Sequence, residues 1–186
     1  MKHKEQWIWL PDKVYPNQFH NVLSGFTDIK NNTYIVAEFK KEYIFPKKVI
    51  SADLRFSGDC TFRLYCNQDF VATGPACIGG DFIGNETVRQ NHYAFTKNII
   101  INSDKINFFA SVKQLPTQIC EYSKGHGGFM LSAILTFEDG TTKQIWTDDT
   151  WYARKNTSYI SATQFDDKNE NNNFVFAEII KNIWNT

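Results

Sequence analysis

The sequence predicts an all-β protein: an antiparallel β-sandwich of the jelly-roll or galactose-binding-domain-like kind. Three observations carry that expectation. Apolar and polar residues alternate at the period of a half-buried strand in several separate stretches. Aromatic residues make up 16% of the chain, a density that suits rings packed between two sheets. No long helical pattern lies between the strands, which argues against the βαβ architecture of a parallel sheet.

Residues 5 to 20 are aromatic and read as irregular, because Pro11 and Pro16 forbid regular structure. Trp7 and Trp9 are expected to pack against a sandwich edge. Thr33 to Lys40 reads as a strand with Ile35, Ala37 and Phe39 on one face, ended by Tyr43-Ile44-Phe45-Pro46. The stretch that organises the chain follows. Ile50, Ala52, Leu54 and Phe56 face one way, while Ser51, Asp53, Arg55 and Ser57 face the other. A second limb places Cys60, Phe62, Leu64 and Cys66 on one face, and Ser57-Gly58-Asp59 between the limbs is a turn signal, so the two limbs are expected to pair. Asn67-Gln68-Asp69 reverses the chain into Phe70-Val71-Ala72, and Gly74-Pro75 closes a three-stranded meander. Its apolar face needs a second sheet to cover it.

Ala76 to Asn91 is glycine-rich and reads as a long surface loop, the kind of segment on which rigid sandwiches carry binding groups. Lys105 to Val112 reads as a strand sending Ile106, Phe108, Ala110 and Val112 inward. Gln114 to Gly128 is a second long loop, carrying Glu121, Tyr122 and His126. The clearest hairpin comes next: Phe129, Leu131, Ala133, Leu135 and Phe137 alternate, Asp139-Gly140 makes a two-residue turn, and Thr142 to Trp146 returns. Trp151-Tyr152-Ala153 continue beyond an Asp148-Asp149 corner. Asp166 to Asn173 is polar and expected to be a mobile excursion, after which Phe174 to Ala177 and Ile179-Ile180 resume apolar structure. The expected organisation is one β-sandwich domain over 1–186 with its core at about 30–160, an irregular segment over 1–20, and a segment over 166–186 that reads as cut short.

Twenty basic and twenty acidic residues cancel, which argues against a nucleic-acid partner or an anionic membrane surface. No run reaches the roughly 18 apolar residues of a membrane span. Trp7 to Leu10 is too short for the apolar region of a secretory signal, and Pro11 interrupts it. The expected location is cytoplasmic if Met1 is the native start, and periplasmic or secreted otherwise. Among the four cysteines, Cys60 and Cys66 sit about 20 Å apart on one strand and cannot bond there. A bond to Cys77 or Cys120 stays open, although reduced, mostly buried thiols are the expectation. No Cys-x-x-Cys or His/Cys cluster occurs, so no structural zinc site is expected; no cofactor is expected either, and calcium in the acidic loops stays open.

Four motifs carry a family resemblance. Ala52-Asp53-Leu54-Arg55 with Phe62-Arg63-Leu64-Tyr65-Cys66-Asn67 and Val71-Ala72-Thr73-Gly74-Pro75 resembles the N-terminal β-sandwich region of bacterial α-L-rhamnosidases, which are glycoside hydrolases. Trp7-Ile8-Trp9, Gly127-Gly128-Phe129 and Trp146-Thr147-Asp148-Asp149-Thr150-Trp151 resemble further segments of that region in the same order. Gln68 departs from the Gly usual there, and Ser57 to Cys60 reads as an insertion. The resemblance implies a non-catalytic accessory domain whose partner is a catalytic domain of the same polypeptide and whose neighbourhood contains rhamnose-bearing glycans. The catalytic acids of that family belong to a later helical toroid, which nothing here resembles.

The residues themselves carry the same expectation, that this chain alone is inactive. A glycosidase needs a protonated and an ionised carboxyl opposed across a cleft, and no spacing among Asp53, Asp81, Glu121, Asp148 and Asp149 marks such a pair. Asp53 is expected to order its strand by meeting Arg55 or Arg63, and Asp148 to cap the turn before Trp151. Ser123 and His126 share a glycine-rich loop without the strand-turn-helix elbow of a nucleophile. Sugar binding asks only for an aromatic platform with polar groups beside it, and Trp9, Asp81 and His126 are the favoured contacts. A free-standing carbohydrate-binding module and a structural interaction domain unrelated to sugars are the competing expectations.

Overall fold

The computed structural model describes residues 6–15, 34–59, 61–75, 94–114, 127–160 and 163–180. Its strands are β1 (Trp7–Trp9), β2 (Ile35–Asp59), β3 (Thr61–Cys66), β4 (Asp69–Pro75), β5 (Phe95–Gln114), β6 (Gly128–Phe137), β7 (Thr142–Trp146), β8 (Tyr152–Lys155), β9 (Val175–Phe176) and β10 (Glu178–Ile180). Every pairing among them is antiparallel.

Two strands are long enough to serve both layers of the sandwich. Residues 35–44 of β2 pair with residues 105–114 of β5, flanked by β8 and β9 on one side and by β3 and β4 on the other. Residues 49–59 of β2 pair with residues 95–103 of β5 and with β6, beyond which lie β7 and the β1–β10 pair. The passage between sheets falls where the register shifts, between Ile44 and Val49 and again before Ser51. Pro46 sits inside that gap, so its missing N–H removes no ladder bond. Asn102, at φ +54°, supplies the matching irregularity on β5. The expectation that Tyr43 to Pro46 ends a strand is therefore corrected: the strand bends there and goes on.

A second correction concerns the two central limbs. Of their expected inward residues Ala52, Leu54, Phe56, Phe62, Leu64 and Cys66 are buried, whereas Ile50 is half-buried because the register shift hands the core position to Val49, and Cys60 lies outside the described residues. They do not pair, however, because the first lies in one sheet and β3 in the other. Ser57 to Asp59 continue β2 against Met130, Phe129 and Gly128 instead of turning. Gly58 is needed because a Cβ there would lie 2.8 Å from Phe62 Cβ, so the chain crosses between sheets directly against that ring.

Rings from the two sheets meet throughout the interior. Phe39 stacks on Phe129 with centroids 5.6 Å apart and lies 5.7 Å from Trp9, while Trp151 bridges Phe129 and Phe108 at 5.8 and 6.3 Å. Phe56 meets Phe62 edge-on at 5.9 Å. Such pairs add to the burial of large apolar rings and fix how the sheets seat on each other. The core also takes in Ile8, Trp9 and Leu10 near one end of the chain and Ala177 near the other; Trp7 to Trp9, expected as irregular, form β1.

The other two expected hairpins are present. Asn67 and Gln68 make a two-residue turn with φ of +49° and +73°, the positive values that match strand twist. The β6–β7 loop takes in Glu138 as well as the Asp139-Gly140 pair expected to turn alone, since Phe137 N donates to the Thr141 carbonyl at 2.9 Å; Gly140 at φ +80° closes it, and Thr141 N donates to Asp139 Oδ1 at 3.1 Å. The thiol of Cys66 is free, and burial, then the charge of Asp69, pushes it up to about 11. The other three cysteines lie outside the described residues.

The polar excursion expected to be mobile is tied down instead. Arg154, on the outer face of the first sheet, donates from Nε to Glu38 Oε2 at 2.6 Å, from Nη2 to Glu170 Oε1 at 2.7 Å and from Nη1 to Asn172 Oδ1 at 2.7 Å, with a further bond to the Asn171 carbonyl. Asn156 Nδ2 donates to the other oxygen of Glu38 at 2.7 Å. A 3₁₀ turn at Asp167–Asn169 precedes this clasp, and Phe174 closes it, with Lys40 Nζ 3.7 Å and the Arg154 guanidinium carbon 4.8 Å from its ring centre. Burial pushes the Arg154 guanidinium down, but its hydrogen bonds to Glu170 and Glu38 outweigh that and hold it above its ordinary value.

Candidate functional site

The outer face of the second sheet differs from that of the first. Residues at odd positions of β2 from Ser51 to Asp59 point away from the core, and the register brings outward residues of four strands into rungs. One rung runs Asn98, Asp53, Ile134, Gln144; the next runs Thr96, Arg55, Ser132, Trp146. Between them lies a groove of about 350 Å³ lined by Asp53, Leu54, Arg55, Thr96, Lys97, Asn98, Ser132, Ile134 and Gln144. The following rung, Ser57 beside Met130, is fully buried, so the groove is closed at that end.

Its polar groups are set by neighbours. Asn98 Nδ2 donates to Asp53 Oδ1 at 2.7 Å across the β5–β2 pair. Asp53 therefore meets an amide on β5, and Arg63 lies on β3 in the other sheet. Lys97, which has the inward parity of Leu54, reaches over to the opposite sheet and donates to the Val71 carbonyl at 2.5 Å. Burial pulls the Arg55 guanidinium below its ordinary value. Ile134 supplies an apolar patch, 36% exposed, in the middle of the row.

The residues favoured from sequence fall elsewhere. Trp9 is wholly buried against Phe39, so its ring serves the core and presents no face to solvent. Asp81 and His126 lie outside the described residues, as do 76–93 and 115–126 around them. Gly127, directly after His126, has φ +70°, and a Cβ there would lie 2.4 Å from the Trp9 ring. The close backbone approach that glycine allows is made here to a tryptophan of the same chain. Asp148 caps its corner as expected, accepting from Thr150 N at 2.9 Å and from the Thr150 hydroxyl. Among the described residues no group of three His, Cys, Asp or Glu side chains is placed to hold a metal ion.

Comparison with known proteins bears on the fold. No family model matches the sequence, and no curated protein matches it. Solved structures do match. The apo lectin of Pleurotus ostreatus aligns at TM-score 0.60 and 18% identity over 95% of this chain and 41% of its own. A rhamnosidase of glycoside hydrolase family 78 from Bacillus sp. GL1 aligns at 0.59 and 15% over 97% of this chain and 18% of its own. The α-L-rhamnosidase of Dictyoglumus thermophilum aligns at 0.55 and 14% over 96% and 21%. This chain thus spans about two fifths of the lectin and about a fifth of the rhamnosidases. At these identities the likeness is one of fold. The β-sandwich resemblance read from the four motifs is present in three dimensions: they fall on β1, the β2–β4 region, the entry to β6 and the β7–β8 corner.

Proposed function

We propose that this chain is a non-catalytic accessory domain of a carbohydrate-active enzyme of the α-L-rhamnosidase kind, packing on a catalytic domain and contributing to carbohydrate recognition. The observation that carries the reading is the pattern of coverage: 96–97% of this chain is matched by about a fifth of two rhamnosidases, and the same fold makes up two fifths of a lectin. A unit that recurs both within hydrolases and within a sugar-binding protein is suited to holding or presenting glycans. The described carboxylates fit a supporting role, since Asp148 is engaged in its own turn and Asp53 is paired with Asn98 on an outer sheet face.

The test is hydrolysis of an aryl α-L-rhamnoside by the purified chain. The expected result is no turnover above buffer; sustained turnover that survives repurification overturns the reading. A free-standing carbohydrate-binding module is the rival. Adding a rhamnosidase catalytic domain in trans separates the two, because an accessory domain forms a complex with it on gel filtration and a free module does not.

A further inference from the structure

We infer that the outer-face groove of the second sheet is a binding site for a neutral saccharide, seated on Ile134 with its hydroxyls among Asp53, Asn98 and Gln144. The inference rests on the carbohydrate-recognition part of the function proposed above and adds its place and its ligand class.

Sugars present a face of C–H groups flanked by hydroxyls that both donate and accept. A site for them needs an apolar patch, acceptors and donors within one small surface. The rung Asn98, Asp53, Ile134, Gln144 has that composition in order across four adjacent strands. Three inter-strand spacings of about 4.8 Å each separate Asn98 from Gln144, so the row is longer than one hexose ring and suits a mono- or disaccharide. The groove volume of about 350 Å³ lies in the range of small-ligand sites, about 300–1,000 Å³. Asn98 already holds Asp53 through one carboxylate oxygen at 2.7 Å, and an exposed carboxylate with roughly four lone-pair sites keeps capacity for hydroxyl donors. Gln144 and Ser132 bring further amide and hydroxyl groups to the lining.

Charge selects against the main competitor, an anion. Asp53 stands in the row itself, and Arg55 stands on the next rung. The ammonium of Lys97 is turned to the Val71 carbonyl on the other sheet. One charge of each sign is left facing the groove, and a carboxylate-bearing or phosphorylated ligand would meet Asp53 directly. A flat aromatic ligand is disfavoured for a different reason: the central patch is one aliphatic side chain, with polar groups on both sides.

The experiment is an NMR titration of the full chain with L-rhamnose, with D-galactose and with a rhamnosyl-glucose disaccharide. The expected result is a saturable response to at least one of them at the side-chain amides of Asn98 and Gln144 and at the backbone of residues 53–55 and 132–134. Asn98→Ala and Gln144→Ala should each weaken that binding about tenfold, with unchanged melting temperatures, while Lys143→Ala on the same hairpin leaves it intact. Saturable binding whose shifts lie elsewhere and ignore these substitutions overturns the groove and leaves the recognition role standing. No saturable response to any of the three overturns the groove and the recognition role together.

Discussion

Two polar clusters lie on the opposite outer faces of this sandwich, one gathered on Arg154 and one along the row of Asn98, Asp53 and Gln144, and they are built to different ends. Arg154 is 6% exposed, and its donors are engaged by Glu38, Glu170, Asn172 and the Asn171 carbonyl. Chain from residues 170 to 174 lies over it. In the groove row Asp53, Asn98 and Gln144 reach solvent, while Ser132 on the neighbouring rung is buried. A polar cluster that closes on itself glues one segment to a sheet. A polar row left open can exchange water for a ligand. Residue types alone do not separate these cases; what differs, among the described residues, is whether a later segment lies over the cluster.

The contrast can be broken most sharply at Glu38. Glu38→Ala leaves a buried guanidinium without its nearest counter-charge, and truncating one member of such a pair costs about 3–5 kcal/mol. Urea denaturation measures it, and a loss under about 1 kcal/mol would make the clasp no more structural than the groove. A smaller effect is expected at Glu170, whose side chain is 48% exposed. Solvent screens that contact, so Glu170→Ala should cost about 1 kcal/mol or less. Its clearer signature is faster amide exchange across residues 163–174 with the rest of the sandwich unchanged. The smallest effect is expected in the groove. Asn98→Ala and Gln144→Ala should alter stability by no more than about 0.5 kcal/mol, and a larger loss would mean that the row is scaffolding.

The parts of the fold that were legible in the sequence are those decided locally. Alternation identified the inward residues from 52 to 56, from 62 to 66 and from 129 to 137, and turn chemistry identified the reversals at Asp139-Gly140 and Asn67-Gln68. Gln68 is an instructive case, because a side chain occupies φ +73° where the resembled family has Gly. What failed depended on partners far along the chain. Ser57-Gly58-Asp59 has the composition of a turn, but Phe62 packing on Gly58 and pairing with residues 128–130 hold it extended. The polar run 166–173 has the composition of a mobile loop, but Arg154 and Thr157 secure it. The groove was missed for the same reason. Asp53 stood out as a carboxylate, yet only register against β5, β6 and β7 brings Asn98, Ile134 and Gln144 beside it. The burial of Trp9 was not legible either, because Gly127, whose backbone lies against its ring, is more than a hundred residues away in the chain.

The two long strands have a consequence for how the molecule assembles. Because β2 and β5 each contribute to both sheets, neither layer has a full set of strands until Ile35 has met Gln114 and Phe56 has met Phe95. Such distant encounters place folding in the slow range, milliseconds to seconds. They also deny the chain a stable half-sandwich in which to pause, so circular dichroism and tryptophan fluorescence should report one shared transition.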